Sequence, residues 1–489
     1  MSPRNFLFIL SDEHRRDAAG CYGHPLAHTP NLDRLAREGV RFDRAYTPCP
    51  ICVPARAALH TGRWVHQTGS WDNAFPYRGD IVSWAHRVRE SGLVVESIGK
   101  LHFRSPDEDH GFTMEHDPLH VVGGIGDLMG ALRDDPPRRS KRGGLEEAGP
   151  GESTYLEYDR RIELQARDWI RSHAGDTAPW VLFVSFVCPH PPYIAPQEFC
   201  DLYPLDRIPL PPEWDAADQS GHPALEFMRD RFGYGPMNEA LIRQVAQAYL
   251  GAVTYLDQRI GCILQELEAT GLIDTTHLLY ASDHGENLGA RGLFGKFTMY
   301  EESAGIPMLL RSPDAPRGVV CSQPSSLVDV YPTILQAVGV TPSDADRGLP
   351  GVSLIELASG DRPPRSILTE YHAVNSRRGI FLLADGRYKY VHYVEGPPQL
   401  FDLHTDPSEC RDLAAEPGHQ ALRSELERRL RSMVDPEAVD LRARTEQAAL
   451  IESYGGESAV LSRGTFDNSP IPGETPHFKD TSASLALPK

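Results

Sequence analysis

Four short apolar runs in this sequence each end in a cluster of acids, imidazoles or lysines. Asp12 and Glu13 follow the run Phe6-Leu7-Phe8-Ile9-Leu10, and Lys100 and His102 follow Val94 to Ile98. His190 follows Val181 to Val187, and Asp283 and His284 follow His277 to Ala281. Carboxylates gathered at neighbouring chain segments repel each other unless a cation lies between them. Asp12, Glu13, Asp283 and His284 are therefore candidate metal ligands. A set of mostly oxygen donors with one nitrogen suits Ca²⁺, Mg²⁺ or Mn²⁺ better than a structural zinc. Taken singly, Asp12 reads as a helix cap and Asp283-His284-Gly285 as a polar turn; only the combination favours a metal.

A second constellation is Cys49-Pro50-Ile51-Cys52-Val53-Pro54-Ala55-Arg56. Pro54 suits the first turn of a helix, where its missing N–H costs nothing. Cys52 is then expected just before the helix start, where the positive dipole end favours an anion, with Arg56 one turn onward. Such surroundings serve a nucleophile that attacks an anionic ester. Two rival readings stay open: Cys49 and Cys52 form a redox C-x-x-C, although no thioredoxin-like context surrounds them, or Cys52 is a buried structural thiol. Lys100 and His102 alternate and so point the same way if extended. His190 sits in the stiff Pro189-His190-Pro191-Pro192, and Lys296 in a loop after Asp283-His284. Each alone reads as a solvated surface group. With Arg56 they form a basic pocket.

The elements that must hold these groups follow from patterning. The four runs are continuously apolar, as expected of strands buried on both faces, and open α/β sheets place ligands at strand carboxyl ends. Helical spacing runs from Leu241 to Ala269 and from Tyr158 to Arg171. A shorter helix is expected from Asn31, as its cap, to Glu38, stopped by Gly39. Gly123 to Gly151, rich in Gly, Asp, Pro and Arg, reads as a mobile insertion. Beyond about Arg365 the texture changes to a hairpin over Ile380 to Tyr393 turning at Asp385-Gly386, then Leu400 to Leu403 and a helix near His419 to Met433. The expected architecture is α/β: a large mixed, mostly parallel sheet flanked by helices over residues 1–364, a smaller C-terminal α+β domain over 365–463, and an extended tail over 464–489.

The chain has 489 residues and a formal charge of −19, from 68 acidic and 49 basic groups. That surface repels nucleic acid and anionic membranes, so neither is an expected partner, and an anionic substrate needs a locally basic site. No apolar run approaches the roughly 18 residues of a membrane span. The first residues lack a basic segment, an apolar stretch and a small-residue cleavage site, which makes the cytoplasm the expected location. Eight cysteines are too sparse for a disulfide scaffold.

Cys52-Val53-Pro54-Ala55-Arg56 with Thr61-Gly62-Arg63 resembles the signature of the sulfatases, in the alkaline-phosphatase superfamily, in which the cysteine is oxidised to formylglycine. Thr29-Pro30-Asn31-Leu32-Asp33, Gly99-Lys100-Leu101-His102, Ser282-Asp283-His284-Gly285, Lys296, Arg387-Tyr388-Lys389-Tyr390 and Leu400-Phe401-Asp402-Leu403 fall in the expected order around it. Within that family the chain is similar to the choline-sulfatase-like enzymes and to the phosphonate monoester hydrolases. Lys100 and His102 favour sulfate esters. Glu13 stands where relatives usually have Asp or Gln, and Ala55 where Ser is frequent. The resemblance implies an alkaline-phosphatase-like fold and one divalent metal (Ca, Mn or Mg) held by Asp12, Glu13, Asp283, His284 and the converted Cys52. It further implies sulfuryl contacts from Arg56, Lys100 and Lys296, a leaving-group acid in His190, a base in His102, and a sulfate or nucleophile contact from Asn73. A formylglycine-generating enzyme and a small anionic ester are the implied partners. Trp71 or Trp84 faces a choline-like cation or lies in the core. The alternatives are a phosphonate monoester or phosphodiester hydrolase with the same apparatus, and a non-catalytic anion-binding relative whose Cys52 stays a thiol. Thr465-Phe466-Asp467-Asn468 in the tail is a candidate for wrapping a neighbouring subunit of a homo-oligomer.

Overall fold

The computed structural model describes residues 4–479, apart from residues 220, 361 and 467. Eight strands form the main sheet: β1 (Asn5–Asp12), β2 (Val40–Phe42), β3 (Val94–Lys100), β4 (Met114–Leu119), β5 (Trp180–Pro189), β6 (Thr276–Ser282), β7 (Met308–Arg311) and β8 (Val319–Cys321). Their spatial order is β8-β2-β7-β6-β1-β5-β3-β4. Only β7 runs against its neighbours β6 and β2, so the sheet is mixed and mostly parallel, as expected.

The continuous apolar run of β1 is explained by its two covered faces. Phe6, Phe8 and Leu10 enter one core, with Val330, Ile334 and Leu335. Leu7 and Ile9 enter the opposite core, with Ile162, Ile170, Leu256 and Ile260. Alternate side chains of a strand point to opposite faces, so neither parity can be polar here. The covering helices are α1 (Pro30–Glu38), α2 (Cys52–Thr61), α3 (Thr154–Ser172), α4 (Glu239–Ala269) and α5 (Val330–Val338).

Asn31 does not cap α1. It lies inside the helix, and its Nδ2 donates to Asp257 Oδ2 at 2.8 Å. Asp257, on α4, accepts the N–H groups of Asn31 and Leu32, so a carboxylate from a distant helix satisfies the orphan donors of this first turn.

The smaller C-terminal domain carries an antiparallel meander of β9 (Ile367–Tyr371), β10 (Ile380–Ala384), β11 (Tyr388–Tyr393) and β12 (Gln399–Asp402). The β10–β11 hairpin turns at Asp385-Gly386, where Gly386 takes a φ of 97° that a side chain disfavours. Helix α6 (Gln420–Met433) was legible in the sequence; α7 (Pro436–Ser453) was not. Its start carries a readable signal, Asp435-Pro436, and the Asp435 carboxylate accepts the Ala438 N–H at 3.1 Å. Gln447 and Glu446 of α7 then bond Asp72 and the Trp71 indole, locking this domain to the first.

The insertion over residues 123–151 is folded. It contains a short helix, Arg142–Glu146, and is pinned to residues 231 and 232 by the N–H groups of Arg139 and Lys141. Over residues 464–479 the tail, expected to be extended, folds back on the molecule. Thr465 and Lys479 pair, and the loop between them lies on the carboxyl edge of the sheet. Phe466 and Ser469 thereby face this chain's own site; Asp467 and residues 480–489 lie outside the described residues.

Three fully buried histidines predict acid lability. Burial holds His14 down to about 4, His60 to about 3 and His277 to about 4. Their folded pKa values lie below the unfolded value of about 6.5, so the unfolded chain binds more protons as pH drops. Their contribution is complete above about pH 6.5 and is lost as pH falls toward 4. The thermal midpoint is expected to fall steadily between pH 7 and pH 5; a flat profile there refutes the assignment.

Candidate active site

Parallel pairing brings the four strand ends together. Ser11 of β1 lies opposite Ser282 of β6, Asp12 opposite Pro189 of β5, and Gly99 of β3 opposite Ser185 of β5. Asp12, Lys100, His190 and Asp283 are therefore neighbours although they are spread from position 12 to position 283 of the sequence.

Cys52 opens α2 rather than preceding it, with Ile51 as the cap residue. Pro54 is the third helical residue, still within the turn whose N–H groups lack helical partners. The Cys52 side chain is 1% exposed. Its Sγ accepts from Lys296 Nζ at 3.2 Å and meets His284 Nε2 at 3.2 Å and Asp12 Oδ1 at 3.8 Å. Burial and then Asp12 push the thiol up to about 12, against Lys296 and Lys100. Such a thiol is protonated at neutral pH and is a poor nucleophile as it stands. Cys49 is buried and unbonded, its thiol raised well above normal by burial, which leaves the redox reading of C-x-x-C without support.

Ligand atoms of Asp12, Cys52, Asp283 and His284 all lie within 4.8 Å of one another, and all four residues are buried. Glu13 and His190 form a second such group with Asp12. His284 Nδ1 donates to the Gly285 carbonyl at 3.1 Å, so its Nε2 lone pair faces the cluster in the tautomer a metal requires. Asp283 Oδ1 accepts the N–H groups of Glu13 and His284, at 3.2 and 2.9 Å, which fixes its plane. Glu13 adopts a φ of 68°, an uncommon conformation for a side-chain-bearing residue. Burial lifts its carboxyl to about 8, opposed by Lys296 and helped by Glu286. Oxygen-rich and preorganised, this donor set fits a hard divalent cation.

The cations divide into two kinds. Lys296 Nζ, 2.8 Å from Glu13, stays charged, its pKa well above normal: burial lowers it, but Cys52, Glu13 and Asp12 prevail. Lys100 pairs with Asp12, whose carboxyl stays well below its usual range: burial raises it, but Lys100, His190, Lys296 and His284 prevail. Arg56 faces elsewhere. Its Nε donates to Asp283 at 2.9 Å and its Nη1 to the Lys100 carbonyl and Ser185 Oγ, at 2.7 and 2.9 Å. It does not border the cavity, and its Nη2 lies 3.5 Å from Asp12 Oδ2.

His102 and His190 are both held well below the usual imidazole range, first by burial and then by neighbouring lysines, Lys100 and Lys296 respectively. His190 Nδ1 donates to the Pro191 carbonyl at 2.7 Å, leaving Nε2 3.4 Å from Glu13. His102 Nε2 meets Ser469 Oγ at 3.1 Å, and its buried Nδ1 has no partner among the described residues.

Cys52, Lys100, His102, His190 and Lys296 line one cavity of about 110 Å³, together with Asn73, whose Oδ1 accepts the Val53 N–H. Asp127, Arg139 and Lys141 of the insertion, Tyr155, and Phe466 and Ser469 of the tail also line it. Of these only Phe466 was singled out in the sequence, and then for a neighbouring subunit rather than for this site; the Gly-rich, basic texture of the insertion was the signal available for the others. Trp71 and Trp84 are fully buried away from the cavity, Trp71 against His372 and Trp84 against His60, so neither faces a ligand. A larger cleft of about 340 Å³ beside Phe227 and Arg377 contains no candidate residue.

The sulfatase family model matches residues 4–340, more than half of the chain. The chain belongs to the sulfatase family. The C-terminal model of N-sulphoglucosamine sulphohydrolase matches residues 289–435 of this sulfatase. It is 32% identical to choline-sulfatase of Rhizobium meliloti over 430 residues, covering 84% of this chain and 83% of that one. It is 28% identical to arylsulfatase K of Danio rerio over 455 residues, covering 88% and 84%. Phosphonate monoester hydrolase of Agrobacterium radiobacter shares the fold, with a TM-score of 0.71 at 24% identity over 91% of this chain and 96% of that one. Among the described residues, no helix is long and apolar enough to cross a membrane.

Proposed function

We propose that this sulfatase hydrolyses sulfate monoesters, with the side chain of residue 52, converted from cysteine to an aldehyde, as nucleophile. The observation that carries this reading is the setting of Cys52: first residue of a helix, 3.2 Å from both Lys296 and His284, beside Asp12 and Asp283, with a thiol too weakly acidic to serve unmodified. Asp12, Asp283, His284, Glu13 and residue 52 would hold one Ca²⁺, Mg²⁺ or Mn²⁺ ion. Conversion supplies a hydrated aldehyde as nucleophile, and the cation a Lewis acid that makes its hydroxyl easier to ionise.

The chain's own residues do the rest. Lys100 and Lys296 offset the charge of the sulfuryl oxygens as sulfur is attacked, and Asn73 orients the nucleophile or the sulfate. Arg56, bonded to Asp283 and 3.5 Å from Asp12, holds both carboxylates in place. His190, whose Nε2 is free of a proton while Nδ1 bonds Pro191, would take up the proton that the attacking hydroxyl loses and pass it to the departing alkoxide. His102, neutral at pH 7 with Nδ1 unpartnered, takes the proton whose loss expels sulfate.

A second reading, hydrolysis of phosphonate monoesters or phosphodiesters at the same site, is favoured by the shared fold of the phosphonate hydrolase. The test is mass spectrometry of the tryptic peptide 45–56 from protein made with a formylglycine-generating enzyme, followed by rates on matched aryl sulfates and phenyl phosphonates. Loss of sulfur at Cys52 with faster sulfate turnover is expected. An intact thiol in active enzyme removes the proposed nucleophile, and faster phosphonate turnover favours the second reading.

A further inference from the structure

Arg139 has a donor edge that nothing among the described residues uses. Its side chain is 8% exposed and borders the same cavity as Cys52. Its Nη1 donates to Asp127 Oδ2 at 2.6 Å, while Nε and Nη2 are buried without a hydrogen-bond partner among the described residues. Nε–H and Nη2–H are parallel donors on one edge of the guanidinium, the fork that receives both oxygens of a carboxylate or sulfonate. Burying two such donors unsatisfied is costly, and the group is too constrained to turn to solvent, since Asp127 fixes its other edge. Lysine, a point charge, could not present this fork.

We infer that Arg139 forms a second anion subsite, which selects sulfate esters whose alcohol carries a carboxylate or another planar anionic group. This rests on the sulfate-ester reading above and specifies its substrate class. The first anion, the ester sulfate, meets Lys100 and Lys296; the second, on the leaving group, meets the open edge of Arg139. Lys141 also lines the cavity. An aromatic cage for a quaternary ammonium is not what this wall offers. Three phenylalanines, Phe232, Phe297 and Phe466, flank the cavity, but the charged group placed among them with unused bonding capacity is a cation.

The test is a matched series: para- and meta-sulfooxybenzoate, the two corresponding benzamides, and choline sulfate. Wild-type enzyme is expected to favour a benzoate over its benzamide in kcat/KM by about ten-fold or more, and both over choline sulfate. Arg139→Gln should shrink the benzoate-to-benzamide ratio by about the same factor, mostly through KM, and Arg139→Lys should restore only part of it. Asp127→Asn, which loosens the guanidinium without removing it, should give an intermediate ratio. A wild-type preference for the benzamides or for choline sulfate, or an Arg139→Gln variant with the wild-type ratio, overturns the subsite. Failure to turn over any of the esters counts against the hydrolase reading instead. Calorimetry then decides the subsite: tighter binding of the benzoate than of the benzamide, lost in Arg139→Gln, upholds it, and equal binding overturns it.

Discussion

Cys52→Ala is expected to lower sulfate-ester turnover by on the order of 10⁴-fold or more, leaving no more than what a preorganised binding pocket achieves alone. The size of the loss follows from the role: a covalent nucleophile splits a difficult displacement into two easier steps, and nothing else within reach can replace it. Among the groups within 4 Å of Sγ, Lys296 and His284 are engaged with acids and a carbonyl, and Asp12 is held by Lys100. Cys52→Ser tests the point more finely. A serine hydroxyl fills the same space and can accept from Lys296, so folding and anion binding should survive while multiple turnover fails. Near wild-type turnover by Cys52→Ala, measured as kcat/KM on an aryl sulfate, removes the proposed nucleophile.

Asp283→Ala has the second largest expected effect, on activity and stability together. Asp283 accepts from Arg56 Nε, from two backbone N–H groups, and belongs to the cluster of possible metal ligands. Its removal leaves the fully buried Arg56 facing one carboxylate fewer, a situation that costs about 3–5 kcal/mol. Asp283→Asn keeps an oxygen for the N–H groups but removes the negative charge. It should retain more stability than the alanine variant while losing comparable activity, on the order of 10³-fold. Chemical denaturation and turnover of both variants separate the two roles. Equal stability of Asp283→Ala and the wild type contradicts the burial argument, and retained activity in Asp283→Asn contradicts the proposed ligand.

The strands were legible because burial on both faces forces a continuous apolar run, and their polar ends stand out against it. β1, β5 and β6 were readable for that reason, and with them the strand-end positions of Asp12, His190 and Asp283. What was not legible depends on contacts across the chain. Nothing local to Asn31 reveals that Asp257 takes over the capping of α1. Nothing around Ser469 announces that a tail residue bonds His102, 367 positions away. The reversal of Arg56 from cavity to carboxylates likewise depends on Ser185 and Lys100 lying opposite it. Helix α7 was hidden because charged residues occur around much of its circumference, so its apolar period is weak even though its Asp-Pro start is ordinary.

The enclosure of Cys52 sets an order of events. The residues that shut it in come from the whole length of the chain, from Asp12 near one end to the loop holding Ser469 near the other. A side chain that is 1% exposed in the finished protein offers no purchase to another enzyme. The conversion proposed above would therefore belong to the interval in which residues near 52 have been made but the strands carrying Asp283 and the closing tail have not settled. Folding is then a deadline. A chain that closes before it is modified is sealed in its unconverted form, and faster folding would yield less active protein.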